Sequence, residues 1–455
     1  MLKKYHSPQP SFFDFSLDAS LKQNQLLSKV DEILNDTPEL LHPLIEKYLQ
    51  DRIDRKIDIG FGKPTASLET IIRLLLLKEL HKNCAYRDVE ERTKTDLAWR
   101  AFAKLSFATK VPDHTTLAGW ANFWGEETIR EVHKKIIKYC IGKKVIKGIK
   151  MRTDTTVSET NTHYPTDVSL LGDGIRIITR IIKKIKTITK VKIKFRDRVK
   201  EVKKKIFEMT NFFKKRIGQA KHKTKETIEK INKIAKHIAK QGEQILAELV
   251  EEKSKALKEN LGEKLKLLEQ LINQTTAVLK GQKPKDRIVS FFQSFSRPIK
   301  KGKLSRECEF GKKIEITEVE KGIISDWQSH IGNPSDTDLL IPTVDRHKEM
   351  FGRDPAEVDT DRGYYSEENE EKLKGRVKQL HIPKKGYKDN RRLRKERGKR
   401  FRAGQNWRAG GEAKISWLKR NYGLGKSKAK TEKGYDLGIG LGVIGCNLKV
   451  MAAMI

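Results

Sequence analysis

The sequence predicts an α/β domain built on a mixed sheet, preceded by an all-α region and split after its first strand by a long helical insertion. Three observations lead there. Apolar residues recur at helical spacing through the first part of the chain, as in SLKQNQLLSKVDEIL and SLETIIRLLLLKELHK. Period-two alternation with β-branched residues begins at KKVIKGIKMRTDTTV and returns near residue 310. Between those two stretches, apolar steps of three and four repeat, as in helices packed side by side. The expected organisation is a helical region over 1–140, first strand(s) over 145–169, a coiled-coil-like insertion over 170–283, and the remainder of the sheet domain over 300–455.

Taken in order, Ser67 stands where an N-cap belongs before the second apolar helix. VPDHTTLAGWANFW then reads as a turn followed by a helix opened by Thr115 or Thr116 and carrying Trp120 and Trp124. A short helix, a turn and a second helix fit either a helix-turn-helix or an ordinary helical hairpin. The first strand places Asp154 towards its end. The insertion has one apolar set at Ile228, Ile231, Ala235, Ile238, Ile245 and Leu249, interrupted at Gly242. A second set runs Leu257, Leu261, Leu265, Leu268, Ile272 and Leu279, and the outer faces are crowded with Lys. KKIEITEVEKGIISDWQSH reads as two strands joined at Lys321-Gly322. DTDLLIPTVDRHKEMFG is a helix with Asp336 or Thr337 as its cap, and PAEVDTDRGYYS a short strand running into a loop at Gly363. A helix capped by Ser366, the strand VKQLHIP and a final helical part complete a mixed α/β layer.

Composition narrows the partners. Lys plus Arg number 96 against 60 Asp plus Glu, a net charge of +36. That imbalance favours a polyanion, most commonly nucleic acid, over the plainer alternative of a solvated surface in a chain rich in Lys and Ile throughout. The four cysteines, Cys84, Cys140, Cys308 and Cys446, show no CxxC spacing, which argues against a zinc site and fits a reducing interior. MLKKYHSPQPSFFDFS lacks the apolar core of a signal peptide. The C-terminal LGIGLGVIGCNLKVMAAMI is apolar but carries Asn447 and Lys449, so a buried helix packed on the sheet fits better than a membrane span. The densest cationic run, residues 384–430, interleaves Tyr387, Phe401, Trp407, Trp417 and Tyr422 with Lys and Arg, a pattern suited to phosphate contact and base stacking. Trp417 also fits a core position.

Three carboxylates stand out in this basic chain: Asp154, Asp361 and Glu412. Hard oxygen ligands at two strand ends and on a helix suit a pair of Mg²⁺ ions, which can activate a nucleophile and support the leaving oxygen of a phosphodiester. Each has a plainer alternative. Asp154 fits a strand end, Asp359 competes with Asp361 on the same strand face, and Glu412 fits the first turn of a helix. Arg408 precedes Glu412 by four residues and Lys419 follows by seven, so both share its helix face and could hold a phosphate backbone.

The stretches TDTTVSETNTHYPTDVSLLGDGIR, RPIKKGKL, EFGKKIEITE, GNPSDTDLLIPTVDRHKEMFG, DRGYYSEEN and GGEAKISWLKRNYGLG resemble bacterial insertion-sequence transposases of the DDE class, of the ISNCY-type and related groups. The resemblance implies an RNase H-like catalytic domain, a mixed sheet flanked by helices, behind an N-terminal helical DNA-binding domain. It places the catalytic and metal-binding acids on Asp154, Asp361 (rather than Asp359) and Glu412, with two Mg²⁺ ions, or Mn²⁺ in their place. It assigns DNA contact to Arg408, Lys419 and Arg420 and, through the N-terminal domain, to Thr115 and Thr116. Where relatives carry a Tyr, this chain has Gln405. The implied activity is cleavage at terminal inverted repeats followed by joining of 3′-hydroxyl ends to target DNA. A homodimer or larger synaptic assembly on DNA, in a bacterial cytoplasm at the nucleoid and without a membrane partner, goes with it. The rival readings are an RNase H-like nuclease without strand transfer and an inactive DNA-binding relative.

Overall fold

The structure, a computed structural model, describes residues 14–56, 67–162, 165–189, 194–215, 220–249, 255–284, 286–303 and 306–454. The N-terminal MLKKYHSPQPSFF and, within the family-like stretches, His163, Tyr164 and Leu304 lie outside them. In chain order the elements are α1 (Asp14–Gln23), α2 (Gln25–Asp36), α3 (His42–Asp54), α4 (Leu68–Leu80), α5 (Tyr86–Thr95), α6 (Leu97–Phe102), α7 (His114–Gly142) and β1 (Lys150–Thr160). Then follow α8 (Asp167–Ile188), α9 (Val199–Lys215), α10 (Ala220–Glu248), α11 (Lys255–Leu279), β2 (Arg297–Lys303), β3 (Arg306–Val319), β4 (Ile324–His330) and α12 (Asp336–Phe351). The chain ends with β5 (Glu357–Asp359), α13 (Glu367–Leu373), β6 (Gln379–His381), α14 (Asn390–Arg397), α15 (Lys399–Asn421), β7 (Lys426–Ser427) and α16 (Glu432–Ala452). These divide into two compact units, residues 1–159 with 313–455, and residues 160–312.

The first unit combines the N-terminal helices with a mixed sheet in the order β4–β3–β1–β5–β6. β4 runs antiparallel to β3, while β5 is parallel to β1 and β6 to β5. The register Arg152↔Asp359↔His381 aligns three polar residues across the parallel strands, and alternation puts Asp154 on the same face as Arg152. The opposite face is apolar at Met151 and Val358, which join one core with Leu74 of α4, Trp99 of α6, Ile136 of α7, Leu340 of α12 and Leu441 of α16. Local signals explain several helix starts. Ser67 accepts from Thr70 N–H at 3.1 Å and Ser366 from Asn369 N–H at 3.0 Å. Two caps differ from expectation. Asp113, not Thr115 or Thr116, caps α7 by accepting from both their amides at 2.9 Å, a carboxylate being the stronger acceptor. Ser335 occupies the cap position of α12, and Asp336 is its first helical residue.

The apolar C-terminal run forms α16, buried chiefly among α2, α4 and α7, with β4 touching it through Trp327 against Gly440. It is a buried helix that packs mostly on other helices and is tied to the sheet at β4 and, through Tyr435 OH donating to Ser158 C=O at 2.7 Å, at β1. No helix among the described residues is long and apolar enough to cross a membrane. Its buried Asn447 is satisfied by β4: Oδ1 accepts from Ile324 N–H at 2.9 Å and Nδ2 donates to Ile324 C=O at 2.9 Å.

The second unit is a helical bundle. Ile175, Ile178 and Ile182 of α8 meet Ile231, Ala235 and Ile238 of α10 and Leu261, Leu265 and Leu268 of α11 in its core. Gly242, which breaks the apolar spacing, leaves room for Leu265 of α11, since a Cβ there would sit 2.6 Å from Leu265 Cδ2. β2 pairs antiparallel with the first half of β3.

Replacing Asn447 with Leu leaves the buried Ile324 N–H without an acceptor, at a cost of about 1–3 kcal/mol. The expected outcome is a lower urea midpoint for the full chain; an unchanged midpoint would show that the Asn447–β4 pairing contributes nothing.

Candidate metal centre and nucleic-acid interface

The site is built where β1, the end of β5 and helix α15 converge in the first unit. Asp154 lies in the middle of β1, half-buried, and its Oδ1 accepts from Thr155 N–H at 2.8 Å. Asp361 follows β5 by two residues and caps a 3₁₀ turn, Arg362–Tyr364, accepting from Gly363 N–H at 2.7 Å. The two carboxylates are neighbours. Burial first, and then the Asp361 charge, push Asp154 up to about 6. Asp361 is also raised, by burial and then by the charge of Asp336.

Asp336 is the member of this group that sequence reasoning missed. Its sequence context predicts only a helix cap, because nothing in its spacing ties the start of α12 to β1. The structure puts its Oδ2 2.9 Å, and Asp361 Oδ1 2.7 Å, from where a Cβ on Gly363 would stand. Thr155 Oγ1 donates to Asp336 Oδ1 at 2.9 Å, and Lys313 Nζ pairs with the same oxygen at 2.6 Å. Asp336 thus carries its own counter-ion, whereas no ion pair within 4.0 Å is formed by Asp154 or Asp361 among the described residues.

Glu412 is placed differently. Its side chain is 65% exposed on α15 and pairs with Arg408 Nη2 at 3.2 Å. Asp154, Asp361 and Glu412 do not all lie within 4.8 Å of one another. The link between them is Arg408. Its charge opposes the upward shift of both Asp154 and Asp361, and it lines one cavity with Asp154, Gly411 and Lys414. Lys419 is half-buried in the last turn of α15 and Arg420 is exposed beside it, donating from Nε to Ser416 C=O at 3.3 Å. Thr115 and Thr116 sit at the start of α7 with their hydroxyls held by Asp113, the second at 3.0 Å.

The face of α15 towards the sheet explains Gln405 and separates Asp359 from Asp361. Gln405 Nε2 donates to His381 C=O at 2.7 Å and to Thr360 C=O at 3.2 Å, fastening the helix to the ends of β5 and β6. One residue earlier, a Cβ on Gly404 would overlap Asp359 Oδ1 and His381 Nδ1. Only glycine allows the helix so close. Beneath it His381 Nδ1 and Asp359 Oδ1 are 2.6 Å apart, and Glu357 pairs with Lys150 at 2.8 Å. Glu357, Asp359 and His381 form the one group among the described residues with metal-ligand spacing. Asp359 lies directly beneath Gly404 and so seats α15, with its second oxygen, Oδ2, buried and without a hydrogen bond. Arg152 anchors the next turn: it pairs with Glu318 at 2.7 Å, donates to Trp407 C=O and lies over the Trp407 ring at 4.6 Å.

Several aromatics of the basic run are structural. Phe401 and Tyr422 are buried, and Trp417 lies beneath Lys414 and Lys449, while Tyr387 is 86% exposed. Trp124 is core as well, donating to Leu44 C=O at 2.9 Å.

Within the second unit the charge is uneven. Residues 174–240 hold 24 Lys and Arg against five Asp and Glu, whereas 241–284 hold seven of each, so the cationic surface belongs to α8–α10. On α10, Lys233, Lys236 and Lys240 are exposed and share one face.

Residues 15–122 match the family model described as a transposase domain (DUF772), which supports a transposase family for this chain. No curated protein and no solved structure matches it.

The raised Asp154 gives a signed pH dependence. The folded carboxyl holds its proton more tightly than an unfolded aspartate of about 4. Stability is therefore lost as pH rises towards about 6, and the penalty is complete above that. In EDTA, Asp154→Asn should melt higher than the wild type at pH 7.5, with the gain shrinking towards pH 4. Thermal melts showing the gain growing as pH falls would contradict this.

Proposed function

We propose that the protein is a DDE-type transposase with an RNase H-like catalytic domain, which cleaves DNA at the terminal inverted repeats of its element and joins the 3′-hydroxyl ends to target DNA. The observation that carries this is the pairing of Asp154 on β1 with Asp361 just past the adjacent β5, with both carboxyls raised by burial and by neighbouring charge. Such a pair is under-compensated and suits a divalent cation. The donor set is all carboxylate oxygen, which fits Mg²⁺ or Mn²⁺ and not a thiolate-binding metal. The transposase-domain match over residues 15–122 and the excess of basic residues agree with a DNA-processing enzyme. A central β1 with an antiparallel hairpin on one flank and two parallel strands on the other is the sheet expected of an RNase H-like fold.

In this reading Asp154 and Asp361 hold the shared ion and Glu412 completes a second site. Two bound Mg²⁺ ions would activate the attacking hydroxyl or water and stabilise the leaving oxygen. The protein's own part is positional. Gln405, Gly404 and Arg152 fix α15 over the sheet, and α15 presents Arg408, Lys419 and Arg420 to the phosphate backbone. The N-terminal helices, with Thr115 and Thr116 at the start of α7, read the inverted repeats, and the cationic α8–α10 surface adds sequence-independent backbone contact. Two ends held together call for a dimer or larger assembly on DNA.

Asp154→Asn, Asp361→Asn and Glu412→Gln should each slow cleavage of a labelled inverted-repeat end by about a hundredfold or more, with binding retained. Full cleavage by one of them would remove that residue from the site. With pre-cleaved ends, a product joined to target DNA separates a transposase from a nuclease that only cuts. Changing Lys233, Lys236 and Lys240 together to Gln should weaken binding to unrelated duplexes equally and lower the salt-dependence slope by up to about three. An unchanged slope would take that face out of the DNA contact.

A further inference from the structure

We infer that Arg408 is a resident counter-cation which stands in for metal charge while nucleic acid is absent, so that phosphate backbone and divalent cation are captured together. This rests on the reading of Asp154 and Asp361 as the metal site. Four observations carry it. Neither Asp154 nor Asp361 has an ion pair of its own among the described residues, unlike Asp336, which has Lys313. Arg408 lines the cavity beside Asp154, together with Gly411 and Lys414 of α15. The same guanidinium engages the exposed side chain of Glu412 at 3.2 Å. Finally, Arg408 Nε is buried and makes no hydrogen bond among the described residues, which leaves one guanidinium donor for a further acceptor.

A guanidinium cannot share this cluster comfortably with a divalent ion, because like charges in a half-buried site repel strongly. Metal entry is therefore favoured when Arg408 has another anion to turn to. A phosphodiester is the natural one, since guanidinium and phosphate form bidentate charge-assisted hydrogen bonds. Once Arg408 moves to phosphate, two things follow at once. The aspartates lose the cation that competed with the metal, and Glu412 is released to face them. Metal and backbone then raise each other's affinity, as linkage requires. In a chain with so many cationic side chains, this arrangement keeps the metal site closed until DNA occupies it.

The test is Mn²⁺ affinity of the full chain, followed by the electron paramagnetic resonance signal of free Mn²⁺, with and without a DNA duplex and with Mn²⁺ uptake by the duplex alone subtracted. The wild type should bind Mn²⁺ weakly alone and about tenfold more tightly with the duplex. Arg408→Gln and Arg408→Met should each bind Mn²⁺ about tenfold more tightly than the wild type without DNA, and gain nothing further from it. Two variants are used so that a folding defect in one, visible by circular dichroism, leaves the other to decide. Variants that bind Mn²⁺ no more tightly than the wild type without DNA would overturn the inference while leaving the metal site intact. An Asp154→Asn/Asp361→Asn double variant should lose the binding. Retention of wild-type affinity in it would overturn the metal-site reading itself.

Discussion

The mutual repulsion of Asp154 and Asp361 is the constraint around which the first unit is arranged. One carboxylate in the middle of β1 and one just past the end of the parallel β5 are partly removed from water, and burial and then the charge of Asp361 raise the cost of ionising Asp154. The surroundings offset it in layers. Backbone N–H groups of Thr155 and Gly363 donate to the two acids, Lys313 neutralises the adjoining Asp336, and Arg408 adds a cation from the helix above. None of these is a close ion pair to the two central acids. The cluster thus remains short of positive charge in a chain of net +36, and that local deficit in a basic protein is the strongest pointer to a divalent cation.

Helix α15 depends on the same sheet face. Its seat is a row of polar residues, Arg152, Asp359 and His381, that the parallel register lines up. A polar face under a helix is unusual, and here most groups have a specific partner: Glu318 and Trp407 C=O for Arg152, His381 for Asp359 Oδ1, Gln405 for the strand ends, while Asp359 Oδ2 is buried without a hydrogen bond. Gly404 sets the closeness of contact, and Arg408 and Glu412 follow one and two turns later. The chemistry of Arg408 and Glu412 is thereby coupled to packing at residues that carry none of it.

Much of this was legible in the sequence, and the gaps have physical reasons. Period-two and helical spacings gave the strands around Asp154 and Asp361 and the helical bundle of the second unit, including the break at Gly242 that the Leu265 contact explains. The neighbourhood of Asp154 and Asp361 followed from the resemblance of their flanking residues. What could not be read was anything set by approach in three dimensions. Asp336 joins the acidic group through Thr155 and Lys313, neither of which lies near it in sequence. Gln405 stands where relatives carry a Tyr, and its role is not legible in the sequence because its hydrogen bonds go to main-chain carbonyls of His381 and Thr360, which leave no trace in side-chain patterns. The basic run looked like a stacking platform, yet Phe401 and Tyr422 are buried, since helical spacing also sends every third or fourth residue inwards. Glu412 was placed on the correct helix, but its engagement by Arg408 depends on rotamers that spacing does not fix.

The central claim is that Asp154 and Asp361 together hold a divalent cation. Iron-mediated cleavage of the protein's own backbone tests it most directly. With ascorbate and hydrogen peroxide added, Fe²⁺ bound in place of Mg²⁺ is oxidised to Fe³⁺ as it splits peroxide into hydroxide and a hydroxyl radical that cuts the chain beside the ion, and ascorbate reduces the iron again. The account predicts cuts near residues 154 and 361, strengthened by duplex DNA and suppressed by excess Mg²⁺. Cleavage elsewhere in the chain with none at those two positions, under conditions where Fe²⁺ is bound, would contradict it.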